Sequence, residues 1–163
     1  MPIKFFKTHF YLFLAIAICI LFFIAYSTLG IVRHLHYESY GYDLGINDQV
    51  VWHYSRFEVP ISTISPFPDR SKLDLHVELI YALISPFYWI WPARKMLILV
   101  SIFVVSSGGL AAYLLSKKKL KDEFISFSIM ISFLGFYGLQ NAVWFDVHSS
   151  SFAAAFLMWF IYF

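Results

Sequence analysis

The sequence predicts an all-α polytopic membrane protein whose first two spans are separated by a large polar loop. Three observations predict this class. The 163-residue chain is 60% hydrophobic and 21% aromatic, with a mean hydropathy of +0.70, above the half-apolar usage of soluble domains. Its uncharged residues fall into long runs at 10–32, 79–93, 96–116, 124–145 and 149–163. Between the first two runs, residues 33–76 gather six of the ten carboxylates and four of the six histidines.

The runs at 10–32, 96–116 and 124–145 hold 21 to 23 residues. At about 1.5 Å of rise per residue, each crosses a hydrocarbon core of about 30 Å. They are read as the first three spans, TM1, TM2 and TM3. Lys4 and Lys7 ahead of the first run imitate a signal peptide, but 23 uncharged residues exceed the roughly 7–15 of an h-region. The first span is therefore uncleaved. The 15-residue run at 79–93 is interrupted by Pro86, ended by Pro92 and rich in Tyr88, Trp89 and Trp91, side chains favoured at headgroup level. Residues 77–93 are read as an interfacial or re-entrant helix. Residues 151–163 start a fourth span, and the chain is expected to be the N-terminal part of a longer protein or a truncated product. All of 1–163 forms one membrane domain.

Charge sets the expected orientation. With Lys4 and Lys7 cytoplasmic and 77–93 not crossing, the second span returns inward and delivers Lys117, Lys118, Lys119 and Lys121 to a cytoplasmic loop at 117–123, as the positive-inside rule requires. Residues 33–95 and the short loop at 146–150 then share the extracytoplasmic side of a cell membrane. Arg94 and Lys95 lie on the side disfavoured for basic residues. The net charge of +2 is scattered and indicates no nucleic-acid partner. Cys19, the single cysteine, allows no internal disulfide and no cysteine-based metal site.

Within the loop, Pro60, Pro66 and Pro68 with Ser62, Ser65 and Ser71 make 58–72 irregular. Upstream, Ile46, Val50, Tyr54 and Phe57 recur at helical spacing. If that helix extends back to Asp43, then Asp43 and Asn47 share its packed face, and Asp48 lies about 140° away toward solvent. Gly41 and Gly45 leave the extension open, with Asp43 or Asn47 as an N-cap the alternative. His34 and His36 read as interfacial side chains, and His53 as a surface or packed histidine. His76 precedes the interfacial helix, beside Asp74 and Glu78. Asp146 and His148 follow 22 uncharged residues, where a carboxylate drawn toward the bilayer centre costs about 2.5–3.5 kcal/mol; the plain alternative is a span ending at water. The aromatic surplus reads as lipid-facing and packing surface, and Gly108 with Gly109 as a place of close helix approach.

The string YDLGINDQVVW at 42–52, His76 before a Pro-containing apolar helix, and Phe145, Asp146, Val147 and His148 after a later span resemble a family of prokaryotic predicted membrane proteins, the domain of unknown function 2079. Members carry YDLGxxDQxxW after the first span, a His before such a helix and an aromatic-Asx-x-His element. The resemblance covers essentially this whole sequence and the N-terminal part of a usual member. A Pro often found in the first turn of that helix is absent here, where Glu78 and Leu79 stand.

That family looks like a branch of the GT-C glycosyltransferases, multispanning enzymes that take a sugar from a polyprenyl-phosphate carrier on the outer membrane face. The resemblance implies a GT-C-like arrangement of spans, with Asp43 as the early acid of the first outer loop, Asp146 as the acid of the second, and both catalytic. His76, Asp48 and Gln49 are expected to bind substrate, and Arg94 and Lys95 to hold the carrier phosphate; their plain reading is as snorkelling anchors. Asp43, Asp146 and His148 are expected to share any divalent cation, Mg or Mn. The expected partners are membrane lipid and the polyprenyl-phosphate-linked sugar. The alternative is a non-enzymatic multispanning protein, either a transporter component or an assembly subunit. A carrier places ionisable groups within its spans, whereas the apolar runs here hold none.

Overall fold

The apolar runs become helices, and hydrogen bonding rather than charge sets where those helices end. The computed structural model describes residues 9–163 apart from Asp69 and Asp146, and all regular structure among them is helical. Helix α1 (Phe10–Leu35) has 26 residues and α5 (Arg94–Leu120) has 27. Each is about 40 Å long at 1.5 Å per residue, and both are long and apolar enough to cross a membrane. Between them come α2 (Gly41–Ser55), the single turn α3 (Lys72–Leu75) and α4 (Ile80–Ile84), which continues as a 3-10 turn over Ser85–Trp89. After α5 follow α6 (Glu123–Leu134), α7 (Tyr137–Trp144) and α8 (Ser149–Tyr162).

Both long helices outrun the apolar runs that foretold them. Helix α1 carries Arg33 and His34 in its last turn, where cations complement the helix dipole. It closes through Tyr37 N–H to His34 O at 3.2 Å and Glu38 N–H to Arg33 O at 3.0 Å, with Tyr37 at φ 60°. Helix α2 ends the same way, through Phe57 to Tyr54 at 3.1 Å and Glu58 to His53 at 3.0 Å. Its left-handed residue is Phe57, at φ 59°. Phe57 therefore leaves the face it shares by spacing with Ile46 and Val50, and lies exposed. At the other end of α5, Lys121 turns the chain at φ 58° and Asp122 caps α6, its Oδ1 accepting from Ile125 N–H at 2.8 Å.

The uncharged run at 124–145 is two helices bent by 45°. Gly135 and Phe136 separate them, Phe136 being extended at ψ 121°. The carbonyl of Leu134, released by the break, accepts from Gln140 Nε2 at 3.1 Å, so the interruption strands no acceptor there. With the bent pair counted as one span, the helices suited to crossing among the described residues number three. Helix α8, with 14 residues, spans about 21 Å.

Helix α5 is the central element, packed against α1, α6 and α8. Gly108 and Gly109 make this possible. A Cβ on Gly108 would lie 2.9 Å from Ala155 Cα of α8, and one on Gly109 2.8 Å from a Leu134 methyl of α6. Helix α1 presents Ile16, Ile20, Leu21, Ile24 and Leu29 outward, a surface suited to lipid. One buried cluster, Ala15, Cys19, Tyr113, Met130 and Leu134, lies at the end of the bundle where α5 turns into α6. The larger one joins Leu44, Val50 and Val51 of α2 to Tyr81, Ile84 and Tyr88, to Leu97 and Ile98 of α5, and to Val143, Val147 and Phe152. The polar loop is thus seated by its own apolar residues on one end of the helices.

Candidate functional site

Helix α2 presents its polar residues in three directions. Asn47 points into the protein and is 4% exposed. Its Nδ2 donates to Val147 O at 2.9 Å, joining α2 to the segment between α7 and α8. On the same face, one turn earlier, Asp43 Oδ2 lies 3.7 Å from His148 Nε2. That distance is too long for a hydrogen bond, and His148 Nε2 is shielded from solvent without a hydrogen-bond partner. The imidazole is oriented by its ring contact with Phe145, at 5.2 Å between centroids, and Phe145 packs on Tyr40 at 4.5 Å.

Asp43 also lines a cavity of about 310 Å³ formed where the Pro/Ser-rich loop folds over α2. The loop is fastened at both ends. Gln49 accepts from Thr63 N–H at 2.8 Å and donates to Thr63 Oγ1 at 3.1 Å, and Lys72 N–H donates to Pro60 O at 2.7 Å. Around the cavity stand His76, Arg70, Lys72, Ser62, Ser65 and the ring of Phe67. Lys72 Nζ is held 3.0 Å from Glu78 Oε2, while Glu78 Oε1 accepts from Ser149 Oγ at 2.5 Å.

Asp48 faces a different flank. Five residues separate it from Asp43, which on a helix is about 7.5 Å along the axis and about 140° around it. Rather than pointing to solvent, its carboxylate accepts from Tyr88 OH at 2.7 Å and pairs with Arg94 Nε at 3.3 Å. Burial first, and then Asp48, hold the Tyr88 phenol well above its ordinary ionisation range. Arg94 and Lys95 line this second hollow with His34 and Trp91. Tyr81, between the two flanks, is likewise pushed up, by burial and then by the charges of Glu78 and Asp43.

The sequence-derived site residues therefore separate. Asp43 lies 3.7 Å from His148 and shares a cavity wall with His76; Asp48, Arg94 and Lys95 form another group; Gln49 fastens the loop. Asp146 lies outside the described residues. Among the described residues no three of His, Cys, Asp and Glu gather as a metal cluster. Asp43 and His148 are two of the three residues expected to share a divalent cation, and they lie 3.7 Å apart. Sequence reasoning passed over Arg70 and Lys72, which stand in the stretch read only as irregular; the available signal was two cations flanking Ser71 in an acidic loop. It also passed over Arg33. That guanidinium is 9% exposed, donates to Trp144 O and to Glu38 O, and lies 4.3 Å from the Trp144 ring centroid.

A family model described as predicted membrane protein (DUF2079) matches residues 33–163, the polar loop and every helix after α1. The chain belongs to this family. No curated protein and no solved structure matches it. As a DUF2079 member with two long apolar helices, it is a membrane-associated helical protein. The cavity beside Asp43 lies wholly within the part of the chain that the DUF2079 model matches.

Proposed function

We propose that this protein is a GT-C-like transferase, moving a sugar from a polyprenyl-phosphate carrier to an acceptor hydroxyl at the extracytoplasmic face. The observation that carries this reading is Asp43, a carboxylate in the wall of a 310 Å³ cavity at one end of the helix bundle, with His76 beside it. A hydroxyl is a poor nucleophile, and a carboxylate placed against it as general base accelerates transfer by about 10² to 10⁴. The acceptor oxygen bonds to the anomeric carbon, the bond from that carbon to the carrier phosphate breaks, and Asp43 takes the hydroxyl proton. The leaving phosphate needs cationic stabilisation. Asn47, through its bond to Val147 O, holds the segment between α7 and α8 close to the base, with His148 Nε2 3.7 Å from Asp43.

The orientation rests on Lys117, Lys118, Lys119 and Lys121 at the end of the bundle away from α2. The alternative, a non-enzymatic subunit, makes the same cavity a docking surface. Asp43→Asn separates the two. In membranes carrying the full reading frame, transfer of radiolabelled sugar from a polyprenyl-phosphate donor is expected to fall at least about 100-fold at unchanged abundance. Undiminished transfer would remove Asp43 from the reaction.

A further inference from the structure

Since Asp43 and Asp48 look to different flanks of α2, the cations lining the hollows beside them divide into two groups. Arg94 belongs with Asp48, its Nε 3.3 Å from that carboxylate, and Lys95 lines the same hollow. The cations on the Asp43 flank are Arg70 and Lys72. We propose that the cavity between them binds a phosphorylated polyol, with its phosphate on Arg70 and Lys72 and a hydroxyl on Asp43, and that Arg94 and Lys95 take no part. This names the ligand class of the site on which the transferase reading rests.

The hydrogen-bonding character of the two walls carries the argument. On the loop side, most polar groups have donors to offer. Arg70 brings a guanidinium fork suited to phosphate; it lies over the Phe67 ring at 5.4 Å and pairs with no carboxylate among the described residues. Lys72 is steered by Glu78 at 3.0 Å and keeps further ammonium hydrogens for a ligand. Ser62 Oγ already accepts from Ile64 N–H at 3.4 Å, and Ser65 Oγ from Phe67 N–H at 3.3 Å. Each hydroxyl therefore has a donor left to turn inward. His76 adds a ring nitrogen.

Facing them, Asp43 is the single carboxylate of the described lining, and when ionised it can only accept. A wall of donors selects a ligand end made of acceptors, and phosphate oxygens are that. A lone acceptor opposite selects a hydroxyl. A ligand carrying both at opposite ends is a phosphorylated polyol. Its size suits the space, since 310 Å³ lies at the lower end of small-ligand pockets, which run from about 300 to 1,000 Å³. The Thr63–Gln49 and Lys72–Pro60 bonds hold the loop over α2 without help from a ligand.

Binding of three probes to the full-length protein in nanodiscs tests this: inorganic phosphate, glucose 1-phosphate and undecaprenyl phosphate incorporated in the bilayer. Glucose 1-phosphate is expected to bind, and Arg70→Gln to weaken it about tenfold or more. Arg70→Lys should restore part of the loss, and Arg94→Gln should leave binding unchanged. Asp43→Asn is expected to keep inorganic phosphate while losing the preference for glucose 1-phosphate over it. Competition by undecaprenyl phosphate at the Arg70-dependent site identifies a lipid-borne ligand, and its absence a free one; both support the site. Wild-type protein that binds no phosphate probe, or binding lost in Arg94→Gln and kept in Arg70→Gln, overturns it. Should Asp43→Asn still transfer sugar while Arg70-dependent binding persists, the transferase role of Asp43 fails and the phosphate site stands.

Discussion

Asn47→Ala tests whether α2 and the segment after α7 form one unit. The amide is buried and donates to Val147 O at 2.9 Å. Losing that hydrogen bond while the Val147 carbonyl stays buried and unsatisfied puts the loss at about 1–3 kcal/mol. At 1.4 kcal/mol per factor of ten, local opening should become about 5- to 150-fold more frequent. The readout is amide hydrogen exchange in nanodiscs, followed by mass spectrometry on peptides covering 147–151. Ser151 N–H in that stretch donates to His148 O at 3.1 Å, so its amide reports undocking. Peptides from the middle of α5 should exchange as before. Exchange at 147–151 within twofold of wild type would refute the claim that Asn47 pins the two segments together.

Helix packing and topology supply further expectations. Gly108→Val drives a branched side chain into Ala155 Cα, 2.9 Å from where its Cβ would lie. The overpacking should cost about 1–3 kcal/mol and lower the thermal midpoint in detergent, whereas Gly41→Ala, with nothing within 4 Å, should not. Tyr88→Phe removes the phenol donor of Asp48 and should cost about 1.5 kcal/mol near neutral pH. Because burial raises the folded-state phenol pKa, the native state keeps a proton that the unfolded chain releases near pH 10, so this contribution is complete below about pH 10 and lost as pH climbs further. Denaturation midpoints of wild type and variant should therefore converge on the alkaline side. In a Cys19→Ala background, Ile90→Cys should react with an impermeant maleimide in intact cells and Lys119→Cys only after permeabilisation. Labelling of position 119 from outside would invert the orientation.

The long helices were legible because uninterrupted apolar runs leave little room for another structure. Their ends were less so: α1 continues to Leu35 and α5 begins at Arg94, since a helix stops where hydrogen bonds redirect the chain and not where the first charge occurs. The break at Gly135 and Phe136 hardly shows in hydropathy, and the Gln140 side chain that answers it is six residues from the carbonyl it satisfies. In the loop, helical spacing extended back past Asp43 does put Asn47 on the packed face. The same wheel turned Asp48 to water, because a wheel contains one helix only; Tyr88, 40 positions away, arrives from outside it. Arg70 and Lys72 escaped notice for a related reason. Proline and serine announce an irregular path, and which wall that path then builds is decided by tertiary contacts such as Gln49 with Thr63.

Arg33 ties the candidate site to the first long helix. One guanidinium grips the carbonyl of Glu38, just ahead of α2, and that of Trp144, just ahead of His148. Both sides of the gap between Asp43 and His148 therefore hang from the last turn of α1, a helix long and apolar enough to cross a membrane. Thinning or thickening the lipid around a spanning helix tilts it, and a tilt of α1 would reach Asp43 and His148 through the two bonds of Arg33.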